Sequence, residues 1–207
     1  MKERKIALFG GTFDPVHLGH TAVVAAAVKH IGADRAIFIP AKYSPIKERN
    51  PIASDGERLE MVKLAIEGFP KFDVSDYELK KEGPSYTIET VKYFQDQYGR
   101  NALIYWLMGT DVIEELTYWY KVNELIDLCH LSVMYRAGFP APDFSRFSGI
   151  LGQQRVEKLQ GNVVPTPLVA ISSTEIRKRI EAGEDISSMV SLTVLIYIRS
   201  HNLYRGK

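Results

Sequence analysis

A chain of 207 residues, 45% hydrophobic and 25% charged, has the composition of an ordinary globular protein and is long enough to bury one sizeable core. Its 26 basic and 25 acidic residues leave a formal charge of +1, and no dense Lys/Arg block marks a nucleic-acid stripe. The apolar run after the charged start, Ile6–Phe9, is too short for a secretory core, and none approaches membrane-spanning length, so a cytoplasmic protein without a membrane partner is expected.

In chain order, residues 6–9 read as a buried strand that ends on Gly10-Gly11. Asp14-Pro15 punctuates, and a helix is expected over about 16–30 with the proline near its start. Residues 36–39 form a second strand closed by Pro40, and the prolines and charges of 41–53 read as a loop. Ser54-Asp55-Gly56-Glu57 is a capping-box pattern opening a helix over 58–67. A strand at 72–75, a turn at Gly83-Pro84-Ser85 and a helix over 87–97 follow. Residues 103–108, nearly all apolar, make the clearest strand; a helix ending at 124–128 and a strand at 131–135 come next. Mixed helical spacing fills 143–160, and 163–170 is extended but broken by Pro165 and Pro167. Two helices, about 174–182 and 192–201, complete the pattern. Cys129, the only cysteine, sits in an apolar stretch and reads as buried filler.

Strands alternating with helices imply an α/β fold: a Rossmann-like, doubly wound, mainly parallel sheet with helices on both faces and a C-terminal helical segment. A single domain over 1–207 is expected, its C-terminal part at about 171–204. Such sheets bind ligands beyond the carboxyl ends of their strands, at the switch point, where Gly10 and Met108 end two strands.

The first of these ends leads into Gly10-Gly11-Thr12-Phe13-Asp14-Pro15-Val16-His17-Leu18-Gly19-His20. Paired glycines let backbone approach a ligand, and Thr12 and Asp14 can fix the turn. His17 and His20, at i and i+3, share a helix face near its positive end, with Gly19 clearing room between them. A zinc pair on a helix usually stands at i, i+4 and needs further ligands, so a phosphate chain suits this unit better than a metal. Far downstream, Ile171-Ser172-Ser173-Thr174-Glu175-Ile176-Arg177 opens a helix. Hydroxyls there can be simple caps worth about 1 kcal/mol. A cation in the first turn opposes the helix dipole, and is better explained if it faces an anion.

The eleven-residue unit resembles the nucleotidyltransferase signature built on His-x-Gly-His, and 171–177 resembles the second signature of nicotinate-nucleotide adenylyltransferases. Gly83-Pro84-Ser85-Tyr86-Thr87, Gly109-Thr110-Asp111, Trp119-Tyr120 and Arg136 resemble further segments of that family, in its order, across about residues 5–204. The resemblance implies transfer of the adenylyl group of ATP to nicotinate mononucleotide, with Mg²⁺ arriving on the ATP and no dedicated protein metal site. His17, His20, Lys47 and Arg177 would carry catalysis, His20 on the α-phosphate. Gly10, Gly11, Thr12 and Phe13, with Ile171, Ser172, Ser173 and Thr174, would complete the triphosphate site, and Gly109 and Asp111 would meet the ribose. Lys47, Thr87, Trp119, Tyr120 and Arg136 would take the acceptor. The family often has Pro-Pro-His-Lys where this chain has Ser44-Pro45-Ile46-Lys47, and often has proline at Ser191. Nicotinamide mononucleotide and phosphopantetheine are rival acceptors, and a nucleotide-binding regulator without catalysis is the rival of a different class. A homo-oligomer is compatible with the sequence.

Overall fold

Ile6–Phe9 and Ile104–Met108 lie at the centre of a sheet buried on both sides, which is why they read as continuous apolar runs. The computed structural model describes residues 3–42, 50–135 and 142–205. Six strands, β1 (Lys5–Gly11), β2 (Arg35–Pro40), β3 (Phe72–Val74), β4 (Leu103–Gly109), β5 (His130–Met134) and β6 (Val163–Val164), pair in the order β3-β2-β1-β4-β5-β6. Every pairing is parallel. The chain works outward from β1 to β3, then returns to place β4 beside β1, so the switch point lies between those two strands.

Strand alternation sorts the helices. Ala7 and Phe9 of β1 face a core completed by α1 (Leu18–Ile31), α2 (Asp55–Ile66), α7 (Ser173–Glu181) and α8 (Leu192–Ser200). Ile6 and Leu8 face the opposite core, completed by α3 (Thr87–Tyr98), α4 (Val122–Leu128), α5 (Ser148–Leu151) and α6 (Gln153–Gln160). Cys129 is packed in this second core, and burial pushes its thiol up to about 12. No helix of the described residues is long and apolar enough to cross a membrane.

The expected elements are present, with instructive differences at their ends. The first helix begins at Leu18 rather than at 16, because His17 is extended (φ −145°, ψ 169°) and the Leu18 N–H is taken by the Met189 carbonyl at 2.9 Å. The extended stretch at 163–170 supplies only a two-residue strand, as Pro165 and Pro167 have no N–H for a ladder. Ser54 and Glu57 form the expected capping box on α2. Ser191, at the family's usual proline, caps α8 by accepting the Val194 N–H at 3.3 Å.

Candidate active site

The loop from β1 to α1 leaves the sheet at the switch point, and its carbonyls are held from outside. Arg58 Nη1 donates to the Thr12 carbonyl at 2.6 Å, Arg177 Nη1 to the Asp14 carbonyl at 2.6 Å, and Ser173 Oγ to the Pro15 carbonyl at 2.9 Å. Carbonyls engaged by protein side chains are not left facing outward, where they would repel an anion. The first turn of α1 carries no acidic side chain to cancel the positive helix end.

The two histidines are stacked, ring centroids 3.6 Å apart and planes 21° from parallel. His17 is the N-cap rather than a helical residue, so extended backbone, not a shared helix face, brings the rings together. The His17 backbone N–H donates to His20 Nδ1 at 3.2 Å. Nδ1 must then be the accepting nitrogen, and a neutral His20 carries its proton on Nε2, the donor a phosphate oxygen needs. Phe13 meets His20 edge-on at 5.1 Å and is itself buried against Phe9 and Phe38. Its ring is therefore a brace for His20, and only its backbone can serve a ligand.

Two glycines are also required by the packing around them. A Cβ on Gly10 would lie 2.6 Å from the Trp106 ring, and one on Gly19 would lie 3.0 Å from the His17 ring and 3.3 Å from Val169. The space a side chain would need at each is filled by protein. Asp14 does not fix its own turn. Its carboxylate accepts the N–H groups of Ile52 at 2.8 Å and Ala53 at 3.1 Å, tying down the residues that lead into α2.

At the second motif the hydroxyls divide their work. Ser172 is the N-cap of α7, accepting the Glu175 N–H at 3.1 Å, so its oxygen performs the capping role. Ser173 reaches Pro15, and Thr174 Oγ1 accepts from Arg177 Nη2 at 3.3 Å. Arg177 lies in the second turn of α7 rather than the first, and its contacts explain its place better than the dipole does: it joins the two motifs. Ile171 packs on the core beneath.

The remaining candidates gather beyond β4. Gly109 ends that strand, and Asp111 lies inside the short 3₁₀ turn Thr110–Val112 rather than at a helix cap. Thr87 opens α3. The Tyr86 and Tyr120 rings meet at 4.7 Å, bringing the Gly-Pro-Ser-Tyr-Thr and Trp-Tyr segments together. Trp119 is half-buried against the second core, and its Nε1 has no hydrogen-bond partner among the described residues. Beneath this region Glu78 is buried and accepts the Thr90 hydroxyl at 2.6 Å. Burial pushes its carboxyl up from the usual carboxylate range. Lys47 and Arg136 lie outside the described residues.

Arg58, Trp106, Glu78 and the partners of Asp14 are absent from the sequence-based set. Arg58 carried a legible signal: it shares the buried face of α2 with Met61, Val62 and Ala65, a cation in an apolar stripe. Trp106 and Glu78 carried none, since each depends on what packs across from it.

A parallel doubly wound sheet with a glycine-rich loop at its switch point, stacked histidines and a second, serine-rich helix start bonded to that loop is the arrangement of a nucleotidyltransferase. The cytidylyltransferase-like family model matches residues 8–179. A protein of Clostridium tetani named "Probable nicotinate-nucleotide adenylyltransferase" is 37% identical over 98% of this chain and 100% of its own length. One of the same name from Rhodopirellula baltica is 33% identical over 97% of this chain and 93% of its own. With these relatives, the chain belongs to the nicotinate-nucleotide adenylyltransferase family. The fold also matches the structure of Plasmodium falciparum nicotinic acid mononucleotide adenylyltransferase complexed with NaAD, with a TM-score of 0.75 at 19% identity, covering 98% of each chain.

Proposed function

We propose that this protein joins the 5′-phosphate of nicotinate mononucleotide to the α-phosphate of ATP, forming nicotinate adenine dinucleotide and releasing pyrophosphate. The observation that carries the reading is the bonding of Ser173 and Arg177 to the carbonyls of Pro15 and Asp14, which joins two distant phosphate motifs into one site. The attacking phosphate oxygen is already an anion and needs no activated serine or cysteine. It forms a bond to the α-phosphorus as the bond to the bridging oxygen of pyrophosphate breaks, and that oxygen leaves with the electron pair. The protein's work is alignment and charge neutralisation; positioning two reactants can supply about 7–11 kcal/mol.

His20 donates from Nε2 to an α-phosphate oxygen, and His17 stands on the triphosphate beside it. The Gly10–Phe13 backbone, Ser173, Thr174 and Arg177 hold the outer phosphates, with Lys47 reaching in from its loop. Gly109 and Asp111 meet the ribose. Mg²⁺ travels with ATP as part of the substrate, since this ion favours phosphate oxygens and water. Trp119 offers its face to the pyridine ring, while Thr87, Tyr120 and Arg136 meet the acceptor's carboxylate and phosphate.

Pyrophosphate release from ATP, measured with nicotinate mononucleotide, nicotinamide mononucleotide and phosphopantetheine in turn, tests the reading. Fastest turnover is expected with nicotinate mononucleotide. Equal or faster turnover with either rival overturns the acceptor assignment, and ATP binding without release from any of them supports a regulator.

A further inference from the structure

The β1–α1 loop and the start of α2 are tied in both directions. From the loop, the Asp14 carboxylate accepts the backbone N–H groups of Ile52 on Oδ2 at 2.8 Å and of Ala53 on Oδ1 at 3.1 Å. From α2, Arg58 reaches back and donates to the Thr12 carbonyl at 2.6 Å. Phe13 alone separates the two loop residues, and its backbone is left-handed, with φ 51°. A bulky residue stays in that region only where its surroundings hold it. Arg58 holds it at a cost. Its side chain is fully buried, its charge partner Asp55 is 45% exposed, and its Nε has no hydrogen-bond partner among the described residues. An unpaired donor in the interior is unfavourable, so Arg58 stays at the Thr12 carbonyl only while α2 is fixed in place.

A tie in one direction leaves two segments free to pivot; ties in both directions fix their distance and their orientation. We propose that Asp14 is a positioning residue for ATP: its carboxylate fixes the entry to α2, α2 in turn keeps Arg58 on the Thr12 carbonyl, and together they hold the left-handed Phe13 backbone. Two parts of the site depend on that backbone. The Gly10–Phe13 peptides are those assigned to phosphate oxygens, and the Phe13 ring braces His20 at 5.1 Å. The inference rests on that assignment of the loop. The carboxylate is itself anchored by the Tyr204 hydroxyl, which donates to Oδ1 at 2.8 Å from beyond the end of α8. Asp14 is only 5% exposed, so these bonds form away from water, where they are strongest. None of them involves residues 83–87 or 119–120, where the acceptor is placed.

Asp14→Asn keeps the size of the side chain. Whichever way the amide turns, its NH₂ faces the Ile52 or the Ala53 N–H and cannot accept it. Titration calorimetry with ATP is expected to show about tenfold weaker binding, the scale of one hydrogen bond to a charged group. The KM for nicotinate mononucleotide should stay as in the parent. Because the effect acts through Arg58, the same substitution should change ATP binding by less than about twofold in an Arg58→Met background. Tyr204→Phe loosens the same carboxylate and leaves its charge, so it should weaken ATP binding by about threefold in the parent and be silent in Arg58→Met. It also carries the test if Asp14→Asn does not fold. Unchanged ATP affinity in variants whose urea midpoint falls makes the ties structural only and overturns the proposal. An equal loss in the Arg58→Met background overturns it too, because the effect then runs elsewhere, as through Arg177, whose Nη1 lies 3.9 Å from Oδ2. A parallel rise in the acceptor's KM overturns it as well. A parent protein that binds ATP but releases no pyrophosphate breaks the transfer reading alone, because the calorimetric cycle still reads the loop.

Discussion

The side of the site proposed for ATP and the side proposed for the acceptor are held in opposite ways. On the proposed ATP side, three carbonyls of one short loop, those of Thr12, Asp14 and Pro15, are bonded by side chains 46, 163 and 158 residues away. On the acceptor side, two half-exposed loops meet through the tilted Tyr86–Tyr120 contact, and Tyr120 is 49% exposed. Phosphate oxygens need donors fixed in number and direction, so rigid placement before binding is worth more than added contacts. A flat ring needs only an aromatic face, which tolerates small shifts. The rigid half is therefore expected to be unforgiving of single changes, and the softer half to yield by degrees.

The sharpest break is at His20. His20→Ala should lower kcat by about 100-fold or more while the thermal midpoint and circular dichroism change little, as for other groups that stabilise developing charge. Near-normal turnover would remove His20 from the chemistry and leave the rigid loop without its central donor. Arg58→Met comes next. It strips the Thr12 carbonyl of its donor in a buried place, so kcat/KM for ATP should fall by about 30-fold and unfolding in urea should show a loss of about 2 kcal/mol. A stable variant with normal ATP kinetics would mean that the carbonyls need no outside hold.

For the softer half, Trp119→Ala should raise the KM for nicotinate mononucleotide by about tenfold, the scale of one lost ring stack, with the KM for ATP unchanged. A rise for ATP instead would erase the division between the two sides. The smallest effect concerns Glu78, under the acceptor loops. Burial raises its native pKa, so the folded state favours the proton. The stability this contributes is present at low pH and is lost as pH rises through the native pKa. Glu78→Gln cannot ionise and lacks that loss. Between about pH 4 and neutrality, the urea midpoint of the parent should therefore decline relative to the variant. A flat difference across that range would show that the carboxyl is stabilised in both forms.

Much of the fold was legible because its signals are local. Apolar runs at 6–9 and 104–108, the capping box at Ser54–Glu57 and the turn at Gly83-Pro84 each act over a few residues, and the structure keeps all of them. The glycines were legible as positions but not as reasons. Gly10 makes way for Trp106 and Gly19 for His17 and Val169, and no reading along the chain shows what lies across a gap. The same limit moved the start of α1: Val16 and His17 can be helical by propensity, but bonds to the carbonyls of Asp14 and Pro15 and the Met189 acceptor at Leu18 set the boundary.

The sequence by itself determined the parallel α/β architecture, the two phosphate motifs and the family to which they belong, because periodicity, turn chemistry and short motifs are written in neighbouring residues. Tertiary structure alone decided how those motifs work together. Arg177 joins them rather than answering a helix dipole, Ser172 caps while Ser173 clamps, and Arg58 and Tyr204 hold the loop from two other parts of the chain. Hydrogen bonds made between distant parts of the chain depend on where folding brings their partners, and burial among the packed helices gives those bonds their strength.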